Sequence, residues 1–326
     1  MKILESYKNR IETEIEKMCS KKLEPSGLFE PVNYVLSLGG KRIRPMLCLA
    51  GSALFDKKAV EKAIYPALGL EVFHNFTLLH DDLMDNSDFR RNNPTVHKKW
   101  NDNTAILSGD AMLIMAYKLI SKSPFDVLLK ILEIFNRTAL EVCEGQQYDM
   151  DFETRTNVSA PEYIEMIRLK TSVLLGGSIK IGAIIGGADD KNAQLLYDFG
   201  CNIGISFQLK DDLLDVFGNG EQFGKPIGDD IVSNKKTFLL ISALNDLPQT
   251  GRKELESWLN KKEFNREEKI TAVKNLFEEA NVSKKALQKM NFYYKKSLKQ
   301  LSEVNGAKNI QNELAEFAYN LIERTR

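Results

Sequence analysis

Two short stretches carry the residues best suited to chemistry. Positions 80–91 read HDDLMDNSDFRR and positions 208–215 read QLKDDLLD. Each contains the pattern DDxxD: Asp81, Asp82 and Asp85 in the first, Asp211, Asp212 and Asp215 in the second. On a helix, acids three and four residues apart share one face. Like charges gathered this way repel, and near a helix C-terminus they also oppose the helix dipole, so a cation must offset the cost. Carboxylate oxygens suit Mg²⁺, which takes one or two of them and completes its shell with water and phosphate oxygens. Histidine- or thiolate-based metal chemistry has no basis, because the chain has 3 histidines, no HExxH and no CxxC. One acidic run alone would read as a solvated helix end; two copies, each closing an apolar run, do not.

Bases accompany the acids. Arg90 and Arg91 follow the first cluster at once, and arginine's planar fork suits phosphate. SLGGKRIRPML at 37–47 adds Lys41, Arg42 and Arg44 behind two glycines that allow close backbone approach. Lys170 and Thr171 interrupt an apolar segment, and Lys225 and Lys235 follow the second cluster. No GxxxxGK[ST] loop is present, so a nucleotide is not implied. Acids for metal and bases for anion above apolar helices predict a diphosphate site for a substrate with a hydrocarbon tail.

The elements that must position these groups are helices. Apolar residues recur at i, i+3 and i+4 through AIYPALGLEVFHNFTLLHDDLMD (63–85), DVLLKILEIFNRTALEVCEGQQYDMDF (126–152) and DKNAQLLYDFGCNIGISFQLKDDLLDVF (190–217). Breakers such as EPSG, RNNP, KSP, SAP and DLPQTG fall between the periodic segments. The pattern predicts ten or more helices in one all-α domain spanning residues 1–326, arranged around a central apolar cavity. Lys+Arg and Asp+Glu balance at 45 each, which argues against a nucleic-acid coat or a polybasic membrane anchor. The segment 172–188 is broken by Lys180 and several glycines, which suits a buried helix rather than a membrane span. The N-terminus is charged throughout, unlike a signal peptide, and the four cysteines are dispersed. These features predict a soluble, cytoplasmic protein.

Taken in order, GGKRIRP, HDDLMDNSDFRRNNPTVH, GD at 109–110, GQQYD at 145–149, KTS at 170–172, FQLKDDLLD, GK at 224–225 and NKKT at 234–237 resemble the trans-isoprenyl diphosphate synthase family over about residues 30–240. The resemblance implies head-to-tail condensation of isopentenyl diphosphate with an allylic diphosphate. It implies that Asp81, Asp82 and Asp85 bind Mg²⁺ with the allylic diphosphate. Asp211 and Asp215 would bind another Mg²⁺, with Asp212 in support and Asp149 and Gln146 near the metals, for about three ions per site. Lys41, Arg44, His74 and Arg91 match positions that hold isopentenyl diphosphate. Arg90, Lys170, Lys225 and Lys235 match those that hold the allylic diphosphate, and Thr171 and Gln208 match polar groups beside the reacting carbons. Family members are usually homodimers. The family usually has glycine after the paired arginines; Asn92 stands there instead, and asparagine tolerates the left-handed backbone that glycine provides.

Product length should depend on the residues one helical turn before the first cluster, about 6–7 Å deeper. These are Phe76 and Thr77. A bulky Phe76 would act as a floor, and with small Thr77 the pattern resembles short-chain synthases making C15–C20 products, with geranylgeranyl (C20) favoured. Two alternatives stay open. A class I terpene synthase would usually carry an NSE-type second motif and lack GGKRIRP. A non-catalytic partner subunit would usually have lost one aspartate cluster.

Overall fold

The computed structural model describes residues 1–218 and 228–323. Among them the chain forms sixteen α-helices. These are α1 (Lys2–Cys19), α2 (Ser26–Ser37), α3 (Ile43–Phe55), α4 (Val60–Met84), α5 (Val96–Lys99), α6 (Asp102–Ile120), α7 (Leu128–Thr154) and α8 (Ala160–Ile167). There follow α9 (Val173–Ile185), α10 (Asp190–Phe217), α11 (Asp229–Val232), α12 (Phe238–Asp246), α13 (Gln249–Asn260), α14 (Arg266–Glu279), α15 (Val282–Glu303) and α16 (Lys308–Ile322). The expectation of an all-α chain with ten or more helices is met. Each long periodic segment became one helix, because its apolar spacing matches the 3.6-residue turn.

The breakers act as helix ends. SAP builds a capping box: the Ser159 hydroxyl accepts from the Glu162 backbone N–H, and the Glu162 carboxylate accepts from the Ser159 N–H at 2.9 Å. One breaker hides a structure that the sequence reading did not contain. RNNP lies within a hairpin in which β1 (Phe89–Arg90) pairs antiparallel with β2 (Asn93–Pro94). Arg91 and Asn92 turn it with φ of 52° and 62°, both left-handed as a type I′ turn requires. Asn92 therefore fills the conformation expected of it.

The described chain divides into two compact units, and the boundary falls inside helices rather than in a linker. The first comprises Met1–Thr138, Leu174–Asp198 and Leu301–Phe317. Its core includes Leu4 and Ile11 of α1, Leu47 and Leu49 of α3, Phe73 of α4 and Phe135 of α7, all 1% exposed or less. Side chains of this size stabilise by about 1.5–3 kcal/mol each when fully buried. Helix α4 is buried on all sides from Pro66 to Phe73, and beyond that along one face, through Asn75 and Leu79, to Asp82 in its last turn. The second unit comprises Ala139–Val173 and the described residues of 199–300 and from 318 onward. Phe199, Ile203 and Leu209 of α10 pack in its core with Leu239, Leu255 and Phe277. Among the described residues no helix is long and apolar enough to cross a membrane, and all four cysteines are free thiols.

Candidate active site

In the first unit, α4 ends at Met84 and Asp85 caps it, so the DDLMD acids occupy its last turn. Asp82 is 5% exposed, Asp81 is half-buried and Asp85 is exposed. The β1–β2 hairpin folds Arg90 back onto this turn. Its Nε donates to both oxygens of Asp82 at 2.7 Å, and a terminal nitrogen stands 2.7 Å from Asp82 and 3.6 Å from Asp81. The carboxylates hold the guanidinium's charge against the burial that opposes it. Asp88 has a plain structural place: its carbonyl accepts the Thr95 N–H across the hairpin, and its exposed carboxylate pairs with Lys98.

Arg91 turns the other way, toward the GGKRIRP loop. It donates to the Gly39 carbonyl, and its guanidinium lies where a side chain at Gly40 would have to go, about 2.9–3.1 Å from an added Cβ. Gly39 and Gly40 also hold φ of 75° and 147°, which side chains rarely adopt. Lys41 is exposed beside them. Arg44 is half-buried, yet its Nε is fully enclosed and has no hydrogen-bond partner. Burial, opposed by Glu71 and reinforced by Arg91, lowers its pKa to about 10, so it stays charged. His74, on α4, feels burial first and then Arg44, Arg91, Arg90 and Arg42, and its imidazole is held neutral well below the usual histidine range. Arg44, His74 and Arg91 thus belong to one electropositive region, and Lys41 is exposed on the adjoining loop.

Sequence reasoning passed over what supports that region. Arg42 is 2% exposed and its guanidinium is engaged inside the protein. It donates to Glu12 at 3.0 Å, to Glu71 at 2.9 Å and to the Leu36 carbonyl at 2.8 Å, joining α1, α2 and α4 at the start of α3. Glu71 also accepts from Asn75, while its second oxygen is buried without a partner. Glu71 is an acid inside an apolar helical run, and that was the available signal. One turn from the acids, Phe76 contacts Phe73 and His80, with ring centroids 5.6 and 4.9 Å away. Thr77 donates its hydroxyl to the His74 carbonyl at 2.8 Å.

In the second unit, α8 runs into a π-helical turn, Arg168–Ser172, which carries Lys170 and Thr171. Such turns concentrate at functional sites. Glycines make room for it. A Cβ on Gly145 of α7 would lie 2.2 Å from the Lys170 backbone nitrogen, and one on Gly204 of α10 would lie 2.7 Å from Ser172. Lys170 Nζ donates to Asp149 at 2.7 Å, and Gln146 is half-buried one turn earlier on α7. Burial raises the Asp149 pKa, but Lys235 and Lys170 outweigh it and leave the carboxylate below its ordinary value.

The DDLLD acids lie in the last turns of α10, with Asp211 half-buried and Asp212 and Asp215 buried. Asp212 accepts from Tyr163 at 2.5 Å and from the Gln208 amide at 3.3 Å; Gln208 in turn accepts from Thr171 at 3.5 Å. Burial and then Asp230 push the Asp212 carboxyl up to about 7, against these hydrogen bonds. The Asp215 carboxylate accepts the Asp230 N–H at 3.2 Å, and its carbonyl accepts the Gly228 N–H at 2.8 Å, so it fixes the start of α11. That segment leads to exposed Lys235, whose N–H donates to the Asp230 carbonyl. Lys225 lies outside the described residues. Among the described residues, no three of His, Cys, Asp or Glu are gathered into a ready-made metal site.

Comparison with known proteins gives a consistent answer. The polyprenyl synthetase family model matches residues 25–277. The geranylgeranyl diphosphate synthase of Sulfolobus acidocaldarius is 36% identical, over 89% of this chain and 89% of its own. The geranylfarnesyl diphosphate synthase of Natronomonas pharaonis is 38% identical, over 68% of this chain and 70% of its own. A crystal structure of a geranylgeranyl pyrophosphate synthase superposes with a TM-score of 0.94 at 45% identity, covering 98% of each chain. With its ordered aspartate and basic motifs set in an all-α fold of this kind, the chain belongs to the polyprenyl synthetase family of prenyltransferases.

Proposed function

We propose that this protein condenses isopentenyl diphosphate head-to-tail with an allylic diphosphate to give a short-chain product, geranylgeranyl (C20) diphosphate. The observation that carries the proposal is the pairing of carboxylates with bases in both units, Arg90 with Asp82 of the first cluster and Lys170 with Asp149 of α7, each at 2.7 Å. In this reading Arg90, Lys170, Lys225 and Lys235 grip the allylic diphosphate, and Lys41, Arg44, His74 and Arg91 grip isopentenyl diphosphate. The allylic carbon–oxygen bond breaks, and the isopentenyl double bond forms a carbon–carbon bond to the resulting cation. A proton then leaves to the released diphosphate. Thr171 and Gln208 present neutral oxygen atoms to the developing positive charge.

The donor set fits Mg²⁺. It consists of carboxylate oxygens, the hard donors that Mg²⁺ takes one or two at a time while phosphates and water complete its shell. Asp81, Asp85, Asp211 and Asp215 would hold it, with Asp82 also engaged by Arg90 and Asp149 by Lys170. Bound there, Mg²⁺ neutralises diphosphate charge and improves it as a leaving group.

Phe76 serves as the chain-length floor, supported by its seat among the rings of Phe73 and His80. The whole chain acts as one catalytic domain, supported by unit boundaries that fall inside helices and by a family match running across them. We take it to be a cytoplasmic homodimer. Free thiols support the first point, and Ile106, Leu107 and Ile114, left exposed on α6, support the second.

The test is incubation of the purified protein with Mg²⁺, isopentenyl diphosphate and, in turn, dimethylallyl, geranyl and farnesyl diphosphate. All three primers should be extended and product growth should stop at C20. No extension of any primer would overturn the proposal.

A further inference from the structure

Tyr163 donates to an acid of the second cluster, yet the reaction proposed above gives it no role. It lies on α8, one residue before the last turn leading toward the π-helical segment, and is 2% exposed. Its hydroxyl donates to Asp212 Oδ2 at 2.5 Å. Asp212, 3% exposed on α10, accepts through Oδ1 the amide N–H of Gln208, one helical turn earlier, at 3.3 Å. Gln208 Oε1 then accepts the Thr171 hydroxyl at 3.5 Å. All four side chains belong to the second unit.

The chemistry of the four groups fixes which way each hydrogen bond runs. Tyr163 donates to one oxygen of Asp212 and the Gln208 NH₂ faces the other, which leaves the Gln208 carbonyl oxygen on the Thr171 side; the ionised form of Asp212 accepts both of these bonds. Without Asp212 held in place, the two ends of the amide are nearly equal in shape and could exchange. An exchange would present an N–H, which repels positive charge, where an oxygen now lies. Tyr163 fixes Asp212: its ring is packed in the core, and its hydroxyl occupies the oxygen that Gln208 does not use. Asp212 thereby satisfies two donors within the protein.

We propose that Tyr163 is a positioning residue for the condensation, acting through Asp212 to keep the Gln208 amide turned with its oxygen toward Thr171 and the reacting carbons. The inference rests on the function proposed above. It makes Tyr163 and Asp212 contributors to the rate of the chemical step rather than to the hold on either diphosphate.

A double-mutant cycle tests it. Tyr163→Phe removes one oxygen and keeps the ring. It should lower kcat on the order of tenfold or more, with KM for both substrates within about twofold of wild type. Gln208→Leu should lower kcat at least as far. The double variant should be no slower than Gln208→Leu alone, because the hydroxyl matters only through that amide. Asp212→Asn offers one acceptor oxygen where two donors need partners. It should reproduce the loss and also be non-additive with Gln208→Leu, which keeps the test decisive if Tyr163→Phe does not fold. Unchanged kcat in Tyr163→Phe, or losses that multiply in the double variant, would overturn the positioning role. The wild type is assayed in the same series, so absence of any extension there would instead overturn the underlying function.

Discussion

At the scale of single residues, the firmest feature is the fork of Arg90 on Asp82. A nearly buried carboxylate requires a partner, and a planar guanidinium meets both of its oxygens, which an ammonium cannot do. Arg90→Lys should therefore lower kcat/KM for the allylic substrate about 10- to 100-fold and leave KM for isopentenyl diphosphate nearly unchanged, as steady-state kinetics with each substrate varied would show. His74 gives a pH prediction. Its imidazole stays neutral in the folded protein, while an unfolded histidine takes a proton near pH 6.5. Acid therefore favours the unfolded chain, and stability falls as pH drops below about 6.5. Melting temperatures taken from pH 7 to pH 5 should fall less steeply in His74→Gln than in wild type. At this scale the sequence showed the titratable groups by type and spacing. It did not show their orientation: Arg42 reads like its basic neighbours but turns inward to Glu12 and Glu71, and Tyr163 reads as ordinary core.

At the scale of elements, helices α4, α7 and α10 were legible because each carries many turns of apolar period. The hairpin at 89–94 was not, because two-residue strands have no alternation to read and arginine is an unusual residue for a left-handed turn position. The π-helical turn was equally hidden. Its residues, RLKTS, have no distinctive composition, and its cause lies in Gly145 and Gly204 on other helices. Helix α4 also places Phe76 one turn before Asp81, in an aromatic series with Phe73 and His80. Phe76→Ala should shift the longest product from C20 to C25 or beyond, read by chromatography of the dephosphorylated alcohols. An unchanged product distribution would remove Phe76 as the floor.

At the scale of the whole molecule, apolar periodicity and scarce strand patterns were enough to reveal an all-α chain, and balanced charge directed attention to local clusters. Association was not legible, because an exposed apolar side chain looks the same in sequence as a buried one. On α6, Ile114 is 68% and Leu107 60% exposed, an unfavourable surface for an isolated chain. Ile114→Asp should convert a dimer into a monomer in sedimentation velocity; a wild type that already sediments as a monomer would refute the homodimer. The central claim is that both carboxylate clusters serve one condensation. Its most direct test is the ratio of diphosphate released to isopentenyl units incorporated, measured with Mg²⁺ for wild type, Asp81→Asn and Asp211→Asn. The account predicts one diphosphate per isopentenyl unit in wild type, with both processes falling together by on the order of 100-fold or more in either variant. Diphosphate release without isopentenyl incorporation, or full activity in either variant, would contradict it.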